Sequence, residues 1–147
     1  MSQIARAVSR IPGGLQTFKY VMRQNPPAPV NFTATANTQT NTIFGMPANH
    51  VVVGVRVQLV TAFLAFGMSS CLVTVGAYDG TNTSANWYSP SFECVQAVSA
   101  STFQYWSPFT TYTSAAHDIT VKFTSTGAQI AALTAGEIEF NILFRPL

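Results

Sequence analysis

The strongest constraint in the sequence is strict alternation. Val51, Val53, Val55, Val57 and Leu59 recur at every second position, with Gly54, Arg56 and Gln58 between them. Successive side chains of an extended chain point to opposite faces, so this pattern specifies a half-buried β-strand. Cys71, Val73, Val75 and Ala77 repeat it and end at Tyr78-Asp79-Gly80-Thr81-Asn82, a run rich in residues that tolerate positive φ. Ile119, Val121 and Phe123 alternate with Thr120, Lys122 and Thr124, and Ile138, Phe140, Ile142 and Phe144 alternate with Glu137, Glu139 and Asn141.

Weaker strand signals occupy Asn31 to Thr35, Thr40 to Phe44, Trp87 to Tyr88 leading into Phe92 to Val95, and Phe103 to Trp106. Helix has little support beyond one turn over Gln129 to Leu133, closely bounded by Gly127 and Gly136. About eight short strands separated by turn residues predict an all-β fold, an antiparallel β-sandwich of the jelly-roll kind, with a small closed barrel as its competitor. One domain fits the length of 147 residues.

Residues 1–30 read differently. Pro12-Gly13-Gly14 and Asn25-Pro26-Pro27-Ala28-Pro29 isolate Leu15 to Arg23, and the proline cluster predicts extended backbone. This predicts an extended basic N-terminal arm over 1–30 and a sandwich domain over 31–147. The arm carries Arg6, Arg10, Lys19 and Arg23 with no acid, whereas the body holds Arg56, Lys122 and Arg145 against Asp79, Glu93, Asp118, Glu137 and Glu139. Four cations in thirty residues are sparse for a nucleic-acid-binding arm, and the body is acidic, so the arm is read as docking on an acidic protein neighbour or as merely staying soluble.

Composition points the same way. Only 8% of residues are charged, against 18 Thr, 12 Ser, 8 Asn and 8 Gln. A surface coated with hydroxyls and amides offers little like-charge repulsion, which predicts a homo-oligomer or a part of an assembly. Arg6 and Arg10 interrupt any secretory h-region, and the apolar window Val51 to Met68 alternates as a strand and not as a membrane span. The sequons at Asn31 and Asn82 are read as incidental.

Residues that could do chemistry are few. His117 and Asp118 are adjacent, so on a strand they face opposite ways and cannot act as a base and its orienter. His50 stands alone before the valine strand. Glu137 and Glu139 share a face, an arrangement open to a carboxylate dyad, but an exposed strand edge explains them more simply. Asp79 and Asn82 form a poor calcium site, with one carboxylate between them. Cys71 and Cys94 lack metal-ligand spacing and read as buried free thiols. No catalytic residue, cofactor or metal is predicted.

Aromatics are the remaining lead. Trp87, Tyr88, Phe103, Tyr105, Trp106, Phe109 and Tyr112 crowd one segment. Trp87, Tyr88, Tyr105, Trp106 and Tyr112 are expected to form either a self-association surface, the favoured reading, or a sugar-stacking platform of a carbohydrate-binding module.

From about Phe44 onward the chain resembles small jelly-roll virion proteins of tailed bacteriophages, the capsid cement or decoration class. The resemblance is carried by Met46-Pro47-Ala48-Asn49-His50 running into the valine strand, by Leu72-Val73-Thr74-Val75-Gly76-Ala77-Tyr78-Asp79-Gly80, and by Asp118 to Gly127 followed by Leu133-Thr134-Ala135-Gly136-Glu137-Ile138. It implies a non-enzymatic structural protein on the capsid exterior, assembled in the host cytoplasm. Its implied partners are the major capsid protein and further copies of itself, with a trimer favoured and no membrane. The N-terminal extension would reach across the lattice or a sister subunit. A tail, connector or fibre component shares the same strand grammar.

Overall fold

The computed structural model describes residues 14–28, 30–81, 83–95 and 115–147 in full, and residues 5–10 and 102–106 as paired backbone. The strands are β1 (Ala5–Arg10), β2 (Gln16–Gln24), β3 (Thr38–Met46), β4 (His50–Leu64), β5 (Ser70–Tyr78), β6 (Thr83–Ser84), β7 (Phe92–Glu93), β8 (Thr102–Trp106), β9 (His117–Thr126) and β10 (Ala135–Pro146). Eight of them are five residues or longer, the number expected, though β1 and β2 stand in place of the strands expected at Asn31 to Thr35 and Trp87 to Val95. The helical turn expected near Gln129 is a 3-10 turn over Ile130–Ala132.

One sheet runs β1-β2-β10-β4-β8, and the other runs β3-β9-β5-β6 with β7 also on β5. The pairings are nested: β5 with β7, β4 with β8, β3 with β9, β2 with β10, all antiparallel. A long hairpin centred on β5 and β7 has been wound so that alternate strand pairs fall in opposite sheets. That winding is a jelly roll, two Greek keys in one sandwich.

The inner faces are those read from the sequence. Val55, Leu59, Cys71, Val75, Ala77, Ile119, Val121, Phe123, Ile138, Phe140 and Ile142 are fully buried. Phe32, Phe63, Phe123 and Phe140 meet in edge-on and stacked contacts that fill the centre. Val53 departs from expectation. Leu143 pairs with Gly54 and Phe144 with Val52, so Val53 is the extra residue of a β-bulge and Val52 takes the core position. Two further register shifts flank Glu137 in the same pairing.

Three expectations are corrected. First, residues 16–24 are not part of an arm. β2 lies between β1 and β10 and sends Phe18, Tyr20 and Met22 into the core, because its own alternation matches the sheet's. The domain therefore does not begin near Val30. Second, the proline cluster reverses the chain instead of extending it: the Pro26-Pro27 peptide is cis and Val30 bridges back to Gln24. Third, Asn31 to Thr35 form no strand. Side-chain amides satisfy their backbone instead, with Gln24 and Gln39 bonding the amides or carbonyls of Asn31, Phe32, Thr33 and Ala34.

Candidate assembly surfaces

The outer face of the first sheet gathers the charge. Register places Arg23 opposite Glu137 and Lys19 beside Glu139, giving ion pairs of 2.7 and 3.2 Å. Asn141 donates to Glu139 at 3.0 Å, and Arg56 donates to Gln58 at 3.1 Å on the adjoining β4. Burial alone would raise the Glu139 carboxyl. The hydrogen bonds from Asn141 and Lys19 and the charges of Lys19 and Arg56 outweigh it and hold the group below its ordinary value of 4.5. Glu137 and Glu139 are thus members of a cross-strand charge ladder, neither bare edge carboxylates nor a dyad.

The opposite outer face is almost neutral. Thr38, Thr40 and Thr42 on β3 face Thr124, Lys122 and Thr120 on β9, and Leu72, Thr74 and Gly76 continue the rows on β5. Of the four arm cations, Lys19 and Arg23 stand on the charged face within β2, while Arg6 and Arg10 belong to β1, in register with Tyr20 and Gln16. Their side chains lie outside the described residues.

The aromatic segment does not form the expected platform at its described members. Tyr88 is buried, a correction. Its hydroxyl lies 2.8 Å from Nε2 of His117, and its amide donates to Val75 O. Trp87 keeps 39% exposure. Tyr105 and Trp106 are placed only by backbone, β8 pairing with β4, and Tyr112 lies outside the described residues.

Chemistry is equally committed elsewhere. Nδ1 of His117 donates to Ala115 O at 3.1 Å, and Nε2 shares a hydrogen bond with the Tyr88 hydroxyl. Both nitrogens serve the fold. Beside them, Gly45, Tyr78, Asp79, Ala116, His117 and Asp118 line an open cleft of about 440 Å³, but Asp79 is occupied in a turn, accepting from the Thr81 amide at 2.9 Å. His50 bonds Ala48 O. Asn31 of the first sequon is buried with its side-chain oxygen on the Arg23 amide. Cys71 and Cys94 are free and buried, and burial with the nearby Glu93 charge pushes Cys71 up to about 12. Among the described residues no cluster of three metal-binding side chains occurs.

Two residues that alternation does not single out organise the structure. Glu93 accepts from the Ser70 hydroxyl at 2.6 Å and from the amides of Cys71, Cys94 and Val95 at 2.9 Å each. Gln24 is buried and bonds Phe32 twice and Leu133 once, tying the end of β2 to the turn before β10. Their signal in the sequence is a polar residue bordering apolar runs, which gives no hint of the partner.

Fold and surfaces together define a class: a single jelly-roll domain with a charge-laddered face, a neutral face and no assembled reactive centre among its described residues. No protein-family model matches the chain, and no curated protein matches it. Among solved structures it is similar to a chain of the acidic stable capsid of Helicobacter pylori bacteriophage KHP30, with TM-score 0.52 and 12% identity, covering 97% of this chain and 93% of that one. It is also similar to a chain of the capsid asymmetric unit of cyanophage Pam1, with TM-score 0.56 and 16% identity, covering 100% and 95%. At these identities the likeness is one of fold.

Proposed function

We propose that this chain is a bacteriophage virion structural protein without enzymatic activity, and within that class a capsid cement or decoration protein. The observation that carries the reading is the end-to-end, reciprocal match of the whole fold to single chains of two phage capsids, with neither partner larger by a domain. A sparsely charged surface supports a life spent in contact with other subunits. The jelly roll acts as a rigid block that bridges neighbouring major capsid subunits from the capsid exterior. Its basic residues Arg6, Arg10, Lys19 and Arg23 are offered to an acidic capsid surface, the last two from the ladder on β2. Assembly takes place in the host cytoplasm, and the unit is a homo-oligomer, with three copies favoured.

Quantitative mass spectrometry of purified virions of the encoding phage, combined with an icosahedral reconstruction, tests this. The expected result is a copy number proportional to that of the major capsid protein and density on the outer shell. A handful of copies confined to the tail or connector would replace the reading with a tail component. Absence from the particle would end it.

A further inference from the structure

Cys71 and Cys94 are 23 positions apart in the chain, and the pairing of β5 with β7 brings them together. Leu72 pairs with Glu93 and Val73 with Phe92. One step further along the same register Cys71 stands opposite Cys94, and the Cys94 amide donates to Cys71 O at 2.9 Å. Residues opposed across an antiparallel pair carry their side chains on the same face. Val73 and Phe92 both point inward, and Cys71 and Cys94 are likewise both in the core, at 0% exposure. Opposed Cα atoms of such a pair lie about 5.5 Å apart, within the roughly 4.4–6.8 Å that a disulfide spans.

Where they meet matters to the fold. Cys94 O accepts from the Phe63 amide at 2.9 Å, so this one residue is bonded to β5 in the second sheet and to β4 in the first. A bond at Cys94 would fasten the chain where it ties the two layers together. Once the core has closed, thiol chemistry there is nearly shut off. The thiolate is the form that attacks a disulfide, and burial pushes Cys71 up to about 12 and Cys94 well above its ordinary value of 9.0. The charge of Cys71 is the next cause at Cys94, in keeping with neighbouring sulfurs. At pH 7 the folded chain therefore holds on the order of one Cys71 thiolate in 10⁵ copies, against roughly a few per cent for a solvated thiol.

We propose that Cys71 and Cys94 are an oxidisable pair that forms a cross-strand disulfide, with a redox state set while the chain folds and then sealed in by the core. The oxidant is a low-molecular-weight disulfide of the glutathione type. One protein thiolate attacks it, releasing one small thiol and holding the other as a mixed disulfide, and the second protein thiolate then displaces that one. The two cysteines give up two electrons and two protons, and the small disulfide becomes two thiols. The new bond closes a loop that carries the rest of β5, β6 and β7. The inference stands apart from the virion reading.

Refolding the full chain from urea in a mixture of oxidised and reduced glutathione at pH 8, followed by non-reducing peptide mapping, tests it. The expected product is monomeric in its covalent bonds, with a cross-linked peptide joining Cys71 to Cys94. Two cysteines this close in sequence also bond in an unfolded chain, so the stability of the product is the decisive reading. The cross-linked chain is expected to fold to the far-UV spectrum of the reduced one and to raise its urea midpoint by about 1 M or more, an increase that reductant added in urea before refolding abolishes. Cys94→Ala, refolded with and without the oxidant, should show no such rise. Reduced chain that is already folded, left in the same mixture for the same time, should keep both thiols. Refolding that yields only free thiols or intermolecular bonds, or a cross-linked chain no more stable than the reduced one, overturns the pairing. Oxidation of the folded chain as fast as the unfolded one overturns the sealing.

Discussion

Replacing Glu93 by Ala should be among the most damaging single changes outside the apolar core. The carboxylate receives three amide donors on Oε2 and the Ser70 hydroxyl on Oε1, and so fastens β5 to the segment just beyond β7. A hydrogen bond to a charged acceptor contributes roughly 1.5–3 kcal/mol. The Cys94 amide is shared with Cys71 O, so the three amides are not fully additive, and the loss should be about 3–5 kcal/mol. Against a total of roughly 7–20 kcal/mol for a domain of this length, that is a large fraction. Glu93→Gln separates the geometry from the charge. Its amide oxygen can keep the three N–H donors, its NH₂ can donate to a reoriented Ser70 hydroxyl, and the cost should stay near about 1 kcal/mol. Urea unfolding followed by tryptophan fluorescence and far-UV circular dichroism should show the Ala midpoint falling by about 2 M with an unchanged slope, and the Gln midpoint by much less. If the Ala variant stays within about 1 kcal/mol of wild type, or if Gln is as harmful as Ala, the fastening role assigned to Glu93 is wrong.

The bulge in β4 predicts that Val52→Thr costs about 1–2 kcal/mol, because it buries a hydroxyl, while Val53→Thr costs under about 0.5 kcal/mol; comparing urea midpoints checks the pair. Removing residues 1–29 deletes β1 and β2 and uncovers Phe140 and Ile142, so the remainder should give an unfolded or aggregated product with poor dispersion in a ¹H–¹⁵N spectrum. Glu139 is held below its ordinary range, so its stabilising contribution is present at neutral pH and is lost as pH falls through the folded value. Glu139→Gln should therefore flatten the drop in melting temperature below about pH 4.5 relative to wild type. The Cys71 and Cys94 thiols are both shifted upward, chiefly by burial, so their contribution is full below about pH 9, and that of Cys71 fades as pH rises toward about 12. Correspondingly, both thiols should resist a disulfide reagent at pH 8 in the native chain and react promptly in denaturant, as absorbance of the released thiolate would report.

Period-two alternation made β5, β9 and β10 legible almost residue by residue, since burial of one sheet face is a local rule written in local residues. Val53 escaped it because the bulge is decided by the register of β10, a partner more than eighty positions away. The same reason hid β2. Glycines and prolines flank it, and only the presence of β10 and β1 on its two sides turns LQTFKYVMR into sheet interior. Tyr88 looked like surface because Asn86, Trp87, Ser89 and Pro90 surround it, yet the His117 ring, 29 positions on, supplies the partner that lets its hydroxyl be buried. Lys19 and Arg23 were recognised as cations, but their pairing with Glu139 and Glu137 follows from a strand contact that nothing nearby in the chain encodes.

β10, the last of the described strands in chain order, takes the middle place in its sheet, with β2 and β4 on its two flanks. Until it docks, those two strands are separated by a gap that only its twelve residues can close. Closure of the sheet must therefore wait for β10, and long-range pairing of this kind is slow. A chain in which β10 has not docked lacks the keystone and stays open to chaperones and proteases, so the architecture itself delays any further contact until the sheet is whole.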